Sequence, residues 1–152
     1  MNALWRIGAV ALATAAVVTP LLAAPADTVR SRIAGYRELG AAFKAVNDGL
    51  RGGEVQTVLI AQSAREIRNA SRGQYEWFPA GSGPQSGAKT RAKGEIWAQP
   101  AKFRTAQDAF AKAADDFQRA VAGKDVAAIR TGAQKLGATC KGCHDSFRAP
   151  ES

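Results

Sequence analysis

The chain has 152 residues, the length of one domain. Lys and Arg outnumber Asp and Glu by 21 to 13, which gives a formal net charge of +8 with the single histidine neutral. These cations are scattered through every segment without a run and without interleaved aromatics, a pattern that excludes a nucleic-acid tract and reads as a solvated basic surface.

The N-terminus reads as an address rather than as fold. Met1 to Arg6 carries one positive charge, Ile7 to Val18 is apolar and rich in alanine, and Pro20 breaks the run. Ala24-Pro25-Ala26 then offers small residues for cleavage. An export signal has this layout, and the apolar stretch is too short and wrongly flanked to span a membrane. The expectation is a signal peptide over residues 1–26, a mature domain over residues 27–152, and a periplasmic protein with no membrane attachment after cleavage.

Gly and Pro divide the remainder into four amphipathic segments, none of which alternates as a strand would. The first runs from about Thr28 to Arg51 and stops at Gly52-Gly53. Val29, Ile33, Tyr36, Gly40, Phe43 and Leu50 form its apolar stripe. The second runs from about Glu54 to Trp77, with Val55, Leu59, Ile60, Ala64, Ile67 and Ala70 as its apolar content.

From Phe78 to Gln99 the pattern dissolves into a long Pro-, Gly- and Ser-rich loop that Ile96 and Trp97 are expected to dock. The third helix is expected from Pro100 to Ala122, with Phe103, Phe110, Phe117 and Val121 facing inward. Asp125 is placed to cap the fourth, whose apolar positions Val126, Ile129, Ala133, Leu136, Cys140, Cys143 and Phe147 are spaced alternately by 3 and 4. Two short connections flanking a long one fit an all-α, antiparallel four-helix bundle.

Cys140-Lys141-Gly142-Cys143-His144 contains both cysteines and the only histidine. C-x-x-C-H is the pattern of c-type haem attachment. Cysteines at i and i+3 share one helix face, so each thiol can add to one of the two vinyl groups on one porphyrin edge. The next residue then brings its imidazole under the ring as the proximal iron ligand. The rivals fit less well. A thioredoxin-like pair sits at a helix N-terminus, where the dipole favours a thiolate, whereas this pair is near a helix C-terminus. Structural zinc takes four ligands, and this chain offers three such residues. A plain disulfide leaves the adjacent histidine without a role. One covalent haem c is expected, with His144 as the metal ligand.

The other axial face is decided by what is missing. No second histidine exists, and the sole methionine is Met1, inside the segment read as signal. A tyrosinate would have to form from a phenol of ordinary pKa near 10. The expectation is a five-coordinate, mainly high-spin iron. Tyr36 is the candidate distal group, one turn before Gly40, whose missing side chain leaves room for a flat macrocycle; an ordinary core aromatic is the alternative. Arg32 is placed to pair with a haem propionate or to be solvated. Arg148, four residues after His144, is read either as a neighbour of the imidazole or as a partner for helix-end carbonyls.

These residues resemble the cytochrome c′ family, the class II c-type cytochromes, over the whole of the expected mature chain. The strongest similarity is the C-terminal motif with Phe147-Arg148 after it. The segments Trp77 to Gly83 and Lys89 to Trp97 are similar to the family's long central connection, and Arg32 and Gly40 match positions where relatives have those residue types. Many relatives have proline where this chain has Gly94, a difference local to the loop. The low-spin branch has a methionine ligand at the position matching Tyr36, so its replacement points to the high-spin branch. The resemblance implies binding of nitric oxide and carbon monoxide, exchange of electrons with redox partner proteins, and antiparallel homodimers through the first two helices. With no distal histidine for acid–base work on a peroxide, no catalytic residue is assigned and the protein is not read as an enzyme. An electron-transfer-only cytochrome, similar to c-556 but with a sixth ligand other than methionine, is the alternative function.

Overall fold

The structure is a computed structural model that describes residues 25–150. The expected signal peptide lies outside the described residues up to position 24. Five helices follow in order: α1 Pro25–Arg51, α2 Thr57–Gly73, α3 Glu95–Ala98, α4 Pro100–Ala122 and α5 Val126–Phe147. Among the described residues there is no strand, only an isolated antiparallel bridge between Ala92 and Arg148.

Four long helices form the bundle. The turns at 52–56 and 123–125 are short, so α1 runs against α2 and α4 against α5. The pairs Arg68–Asp115 (2.7 Å) and Tyr75–Asp108 (2.7 Å) fix α2 and α4 as antiparallel too. Pro100 opens α4 at a position where its missing N–H costs nothing. Asp125 caps α5 by accepting from the backbone N–H groups of Ala127 (2.8 Å) and Ala128 (3.3 Å).

The second helix is shorter than its sequence pattern suggests. The amide of Gln56 donates to the carbonyl of Gly49 (3.1 Å), which holds residues 54–56 as a turn off the end of α1. At the other end, Gln74–Glu76 tightens into a 3₁₀ turn. Leu59, expected in the core, is exposed; Ser63 and Ser71 are buried in its place.

The first helix departs from its pattern in a way that matters for function. Of the expected stripe, Val29 and Leu50 are buried, while Ile33, Tyr36 and Phe43 are half-buried and Gly40 is exposed. Val46 fills the core beside Leu50, and Arg32 is buried where a solvated arginine was one reading. The half-buried set faces a cavity rather than the core.

The core has two parts. A large cluster of Val46, Ile60, Ile67, Phe110, Phe117, Ile129 and Leu136 fills the bundle. A smaller one, Ile96, Phe103 and Phe147, packs the end of α5 against the central loop with Phe78 and Trp97 beside it. Each pair of large aromatic or aliphatic residues removed from water contributes on the order of 3 to 6 kcal/mol before entropy is counted. Helices α4 and α5 pack closely, as do α1 with α2 and α2 with α4, whereas α1 and α5 touch at few points. That loose seam positions the site.

Candidate functional site

A cavity of about 850 Å³ opens along the seam between α1 and α5. Its volume lies in the range of cofactor pockets. Leu39, Ile67, Phe110 and Leu136 from the large core cluster line it, together with Ile96, Phe103 and Phe147 from the small one. Cys140 packs on the first cluster and Cys143 on the second, so the cysteine pair spans the place where the two meet.

Both thiols are half-buried and are not joined to each other. Burial pushes both above the ordinary thiol range, and for Cys143 the neighbouring Cys140 adds to the effect. These are neutral thiols, unlike the thiolates of a redox pair or a zinc site. Among the described residues, no group of three or more Cys, His, Asp or Glu side chains is gathered to hold a bare metal ion. His144 lies beside them at the solvent-exposed rim. Burial lowers its pKa first, and the positive charges of Arg148 and Arg91 add to that against the opposing Asp145. The imidazole is therefore held neutral, the form that ligates a metal.

The opposite wall belongs to α1. Tyr36 lines the cavity with its ring edge-on to Trp77 at 4.8 Å between centroids, and Phe78 lies 6.1 Å away. Burial, then the nearby Cys143, raises its phenol well above the ordinary range, so it stays protonated. One turn on, a Cβ at Gly40 would meet nothing within 4 Å. The space beside Gly40, which lines the cavity, is open.

Arg32 is only 3% exposed. Its Nη1 donates to the carbonyl of Trp77 (3.2 Å) and the hydroxyl of Ser82 (3.1 Å); its Nη2 donates to the carbonyl of Ser82 and the hydroxyl of Thr90 (both 3.1 Å). The guanidinium also lies 4.5 Å over the Phe78 ring. All these acceptors are neutral, so a buried cation at the cavity wall has no carboxylate among its hydrogen-bond partners. Its terminal N–H groups are committed to the loop. This pinning role was not legible in the sequence, because it depends on loop atoms 45 to 58 residues away.

Arg148 lies one residue past α5, in extended backbone, and its charge still acts on the His144 imidazole. Its amide donates to the His144 carbonyl (3.1 Å), and it bridges to Ala92. Lys93 also serves the helix end, its Nζ donating to the carbonyls of Asp145 (3.2 Å) and Ser146 (3.4 Å). Trp77, Ser82, Thr90 and Lys93 are the site residues whose roles sequence reasoning missed; they stood there only as members of the segments similar to the family's central connection.

A covalent haem fits this chain's residues in shape and in chemistry. The cavity is apolar in its depth, two neutral thiols and a neutral imidazole sit together on one wall, and the lining includes five cations but, among the described residues, no Asp or Glu. Such a lining suits a planar apolar ring that carries two carboxylates.

Comparison with known proteins agrees. A family model described as cytochrome c′ matches residues 27–148. The cytochrome c′ of Rhodopseudomonas palustris is 32% identical over 133 residues, which cover 85% of this chain and 86% of that protein. The cytochrome c′ of Rubrivivax gelatinosus has a crystal structure that superposes with a TM-score of 0.77 at 28% identity, over 83% of this chain and 98% of that one. A nitric oxide complex of a leucine-to-isoleucine variant of the Alcaligenes xylosoxidans protein superposes with a TM-score of 0.76 at 24% identity, over 84% and 98%. A bundle split along one seam, with a C-x-x-C-H motif facing the opening, thus has its counterpart in sequence and in fold: the chain belongs to the cytochrome c′ family and binds one haem c covalently.

Proposed function

We propose that this chain is an exported, periplasmic one-electron carrier that also binds nitric oxide and carbon monoxide at a five-coordinate, high-spin iron. The observation that carries the reading is the make-up of the cavity wall. His144 is the one imidazole, methionine occurs only at position 1, and the group on α1 across from the cysteines is a protonated phenol.

The roles of the residues follow from their positions. Cys140 and Cys143 tether the cofactor through thioethers at one edge. His144 ligates iron from the α5 side. When bound, the haem would supply a ferric/ferrous couple and a metal able to take a diatomic gas. Tyr36, braced by Trp77 and Phe78, would face the gas from the α1 wall as a protonated phenol. Arg32 presents positive charge to the cavity wall while it pins the loop, and this favours a propionate nearby. The nitric oxide complex of the Alcaligenes relative supports the gas-binding half by analogy of family.

Among the described residues no helix is long and apolar enough to cross a membrane, in keeping with release after export. Val58 is 82% exposed and Leu59 37%, both on the first turn of α2. These two side chains support a homodimer through α1 and α2.

Lys89 at the rim motivates the second reading, a sixth ligand other than methionine and electron transfer alone. Absorption spectra of the ferric and dithionite-reduced protein, with and without each gas, separate the two. A broad reduced Soret band, a merged α/β band and shifts on adding nitric oxide or carbon monoxide are expected. Sharp split bands with indifference to both gases would establish the sixth ligand.

A further inference from the structure

The charge around the cavity is one-sided. Arg32, Arg37, Lys89, Arg91 and Arg148 line it, and among the described residues no carboxylate does. They come from α1, the central loop and the tail after α5, so the fold, not a run in sequence, gathers them. Arg32 is buried; Arg37, Lys89 and Arg148 are exposed at the opening, as is His144, with Arg91 half-buried between. Asp145, next to His144, is held by Lys141 at 2.6 Å. Elsewhere four surface aspartates are paired: Asp48 with Lys44, Asp108 with Arg104, Asp115 with Arg68 and Asp116 with Lys112.

A cleft rimmed by one sign of charge over low-dielectric walls focuses the field and steers an oppositely charged body toward its mouth. Two haem propionates offset part of this charge, and the exposed Arg37 and Lys89 keep the rim positive. We infer that this collar is the docking surface for a redox partner protein that presents an acidic face to the His144 edge of the site. The inference rests on the electron-carrier reading above. A bilayer is the poorer occupant: the rim is concave, and the exposed apolar pair Val58 and Leu59 lies at the start of α2, beside the end of α1, whereas the collar adjoins the end of α2.

The test uses the haem-loaded protein and oxidised plastocyanin, a small copper protein with an acidic face, as the probe. One electron passes from ferrous protein to cupric plastocyanin, leaving ferric iron and cuprous copper, with no proton moved. Stopped-flow rates should fall about tenfold or more between 10 and 500 mM salt. Arg37→Glu with Lys89→Glu should cut the low-salt rate about tenfold. Lys124→Glu with Arg130→Glu, roughly 20 to 30 Å back along α5 from His144 at 1.5 Å per residue, should leave it within about twofold. A rate indifferent to salt, or equal losses in both double variants, would overturn the collar while leaving the carrier reading intact. Collar-dependent co-sedimentation with phosphatidylglycerol vesicles, with plastocyanin kinetics indifferent to Arg37→Glu and Lys89→Glu, would overturn it in favour of a lipid surface. Ferrous protein that ferricyanide oxidises and plastocyanin cannot, at any salt, would take down the carrier reading itself.

Discussion

Arg32 on α1 grips Ser82 twice, donating to its hydroxyl and to its carbonyl at 3.1 Å each. The same guanidinium holds Thr90, and the loop beyond Thr90 is laced to the tail of α5. Lys93 N–H donates to the Phe147 carbonyl at 3.0 Å, and Ala149 N–H donates to the Arg91 carbonyl at 2.8 Å. A single buried cation thus ties the α1 wall of the cavity to the strap that crosses the end of the haem-attachment helix.

Replacing Arg32 by Ala strands these buried acceptors and should cost about 3 kcal/mol in urea-induced unfolding. Limited proteolysis should then cut first within residues 78–93. Arg32→Lys keeps the charge but not the fork, and should recover less than half of the loss. Unfolding of Arg32→Ala unchanged from wild type would show that the loop is held by its apolar contacts alone.

Two glycines on α1 should behave oppositely. A Cβ at Gly35 would stand 2.7 Å from Cη2 of Trp77, so Gly35→Ala must displace the indole that braces Tyr36. A loss of about 1 to 3 kcal/mol is expected, with altered carbon monoxide binding kinetics. At Gly40 the same Cβ meets nothing within 4 Å, so Gly40→Ala should not lower stability and should gain up to about 1 kcal/mol from helix propensity. Gly40→Phe would put a ring into the open space beside Gly40 on the cavity wall and should reduce haem incorporation. Thermal melts and the haem-to-protein absorbance ratio measure both.

Much of this was legible in the residues. The spacing on α5, the Asp125 cap and the Pro100 start mark their helices because they are local devices. The stripe on α1 was legible as apolar but not as cavity wall, since Ile33, Tyr36 and Phe43 look like core until the α1–α5 seam is seen to be open. Arg32 and Lys93 could not be assigned partners, because their acceptors lie more than forty positions away. Arg148 continues the helical spacing in sequence, yet α5 ends at Phe147 and Arg148 is extended, which four-residue spacing alone does not reveal.

Tyr36 is the proposed distal group on the α1 side, and two substitutions test that role. Tyr36→Phe should leave the neutral-pH ferric spectrum in the same coordination class, since the phenol it removes is protonated. Tyr36→Met should instead give sharp low-spin bands. The pH sign follows from the raised phenol. The folded state holds this proton more tightly than the unfolded chain, so the stabilisation is complete below the unfolded value of about 10 and is lost as pH rises beyond it. Alkaline unfolding should therefore begin above about pH 10 and move to higher pH in Tyr36→Phe. An unfolding midpoint unchanged by that substitution would remove the phenol from the account.

Val58 offers the plainest check on assembly. An aspartate at a residue 82% exposed in one chain costs the fold little. In a dimer through α1 and α2 it buries charge against charge, and sedimentation equilibrium should show the dissociation constant rising at least about tenfold. Identical association of wild type and Val58→Asp would move the interface elsewhere.

The most direct measurement is the intact mass of protein made in a host that matures c-type cytochromes. One haem should be added to the polypeptide, resisting acid and solvent because both thioethers hold it, and lost when Cys140 and Cys143 are replaced together by Ser. The bare mass of the polypeptide, from cells that attach haem to other cytochromes, would contradict covalent attachment.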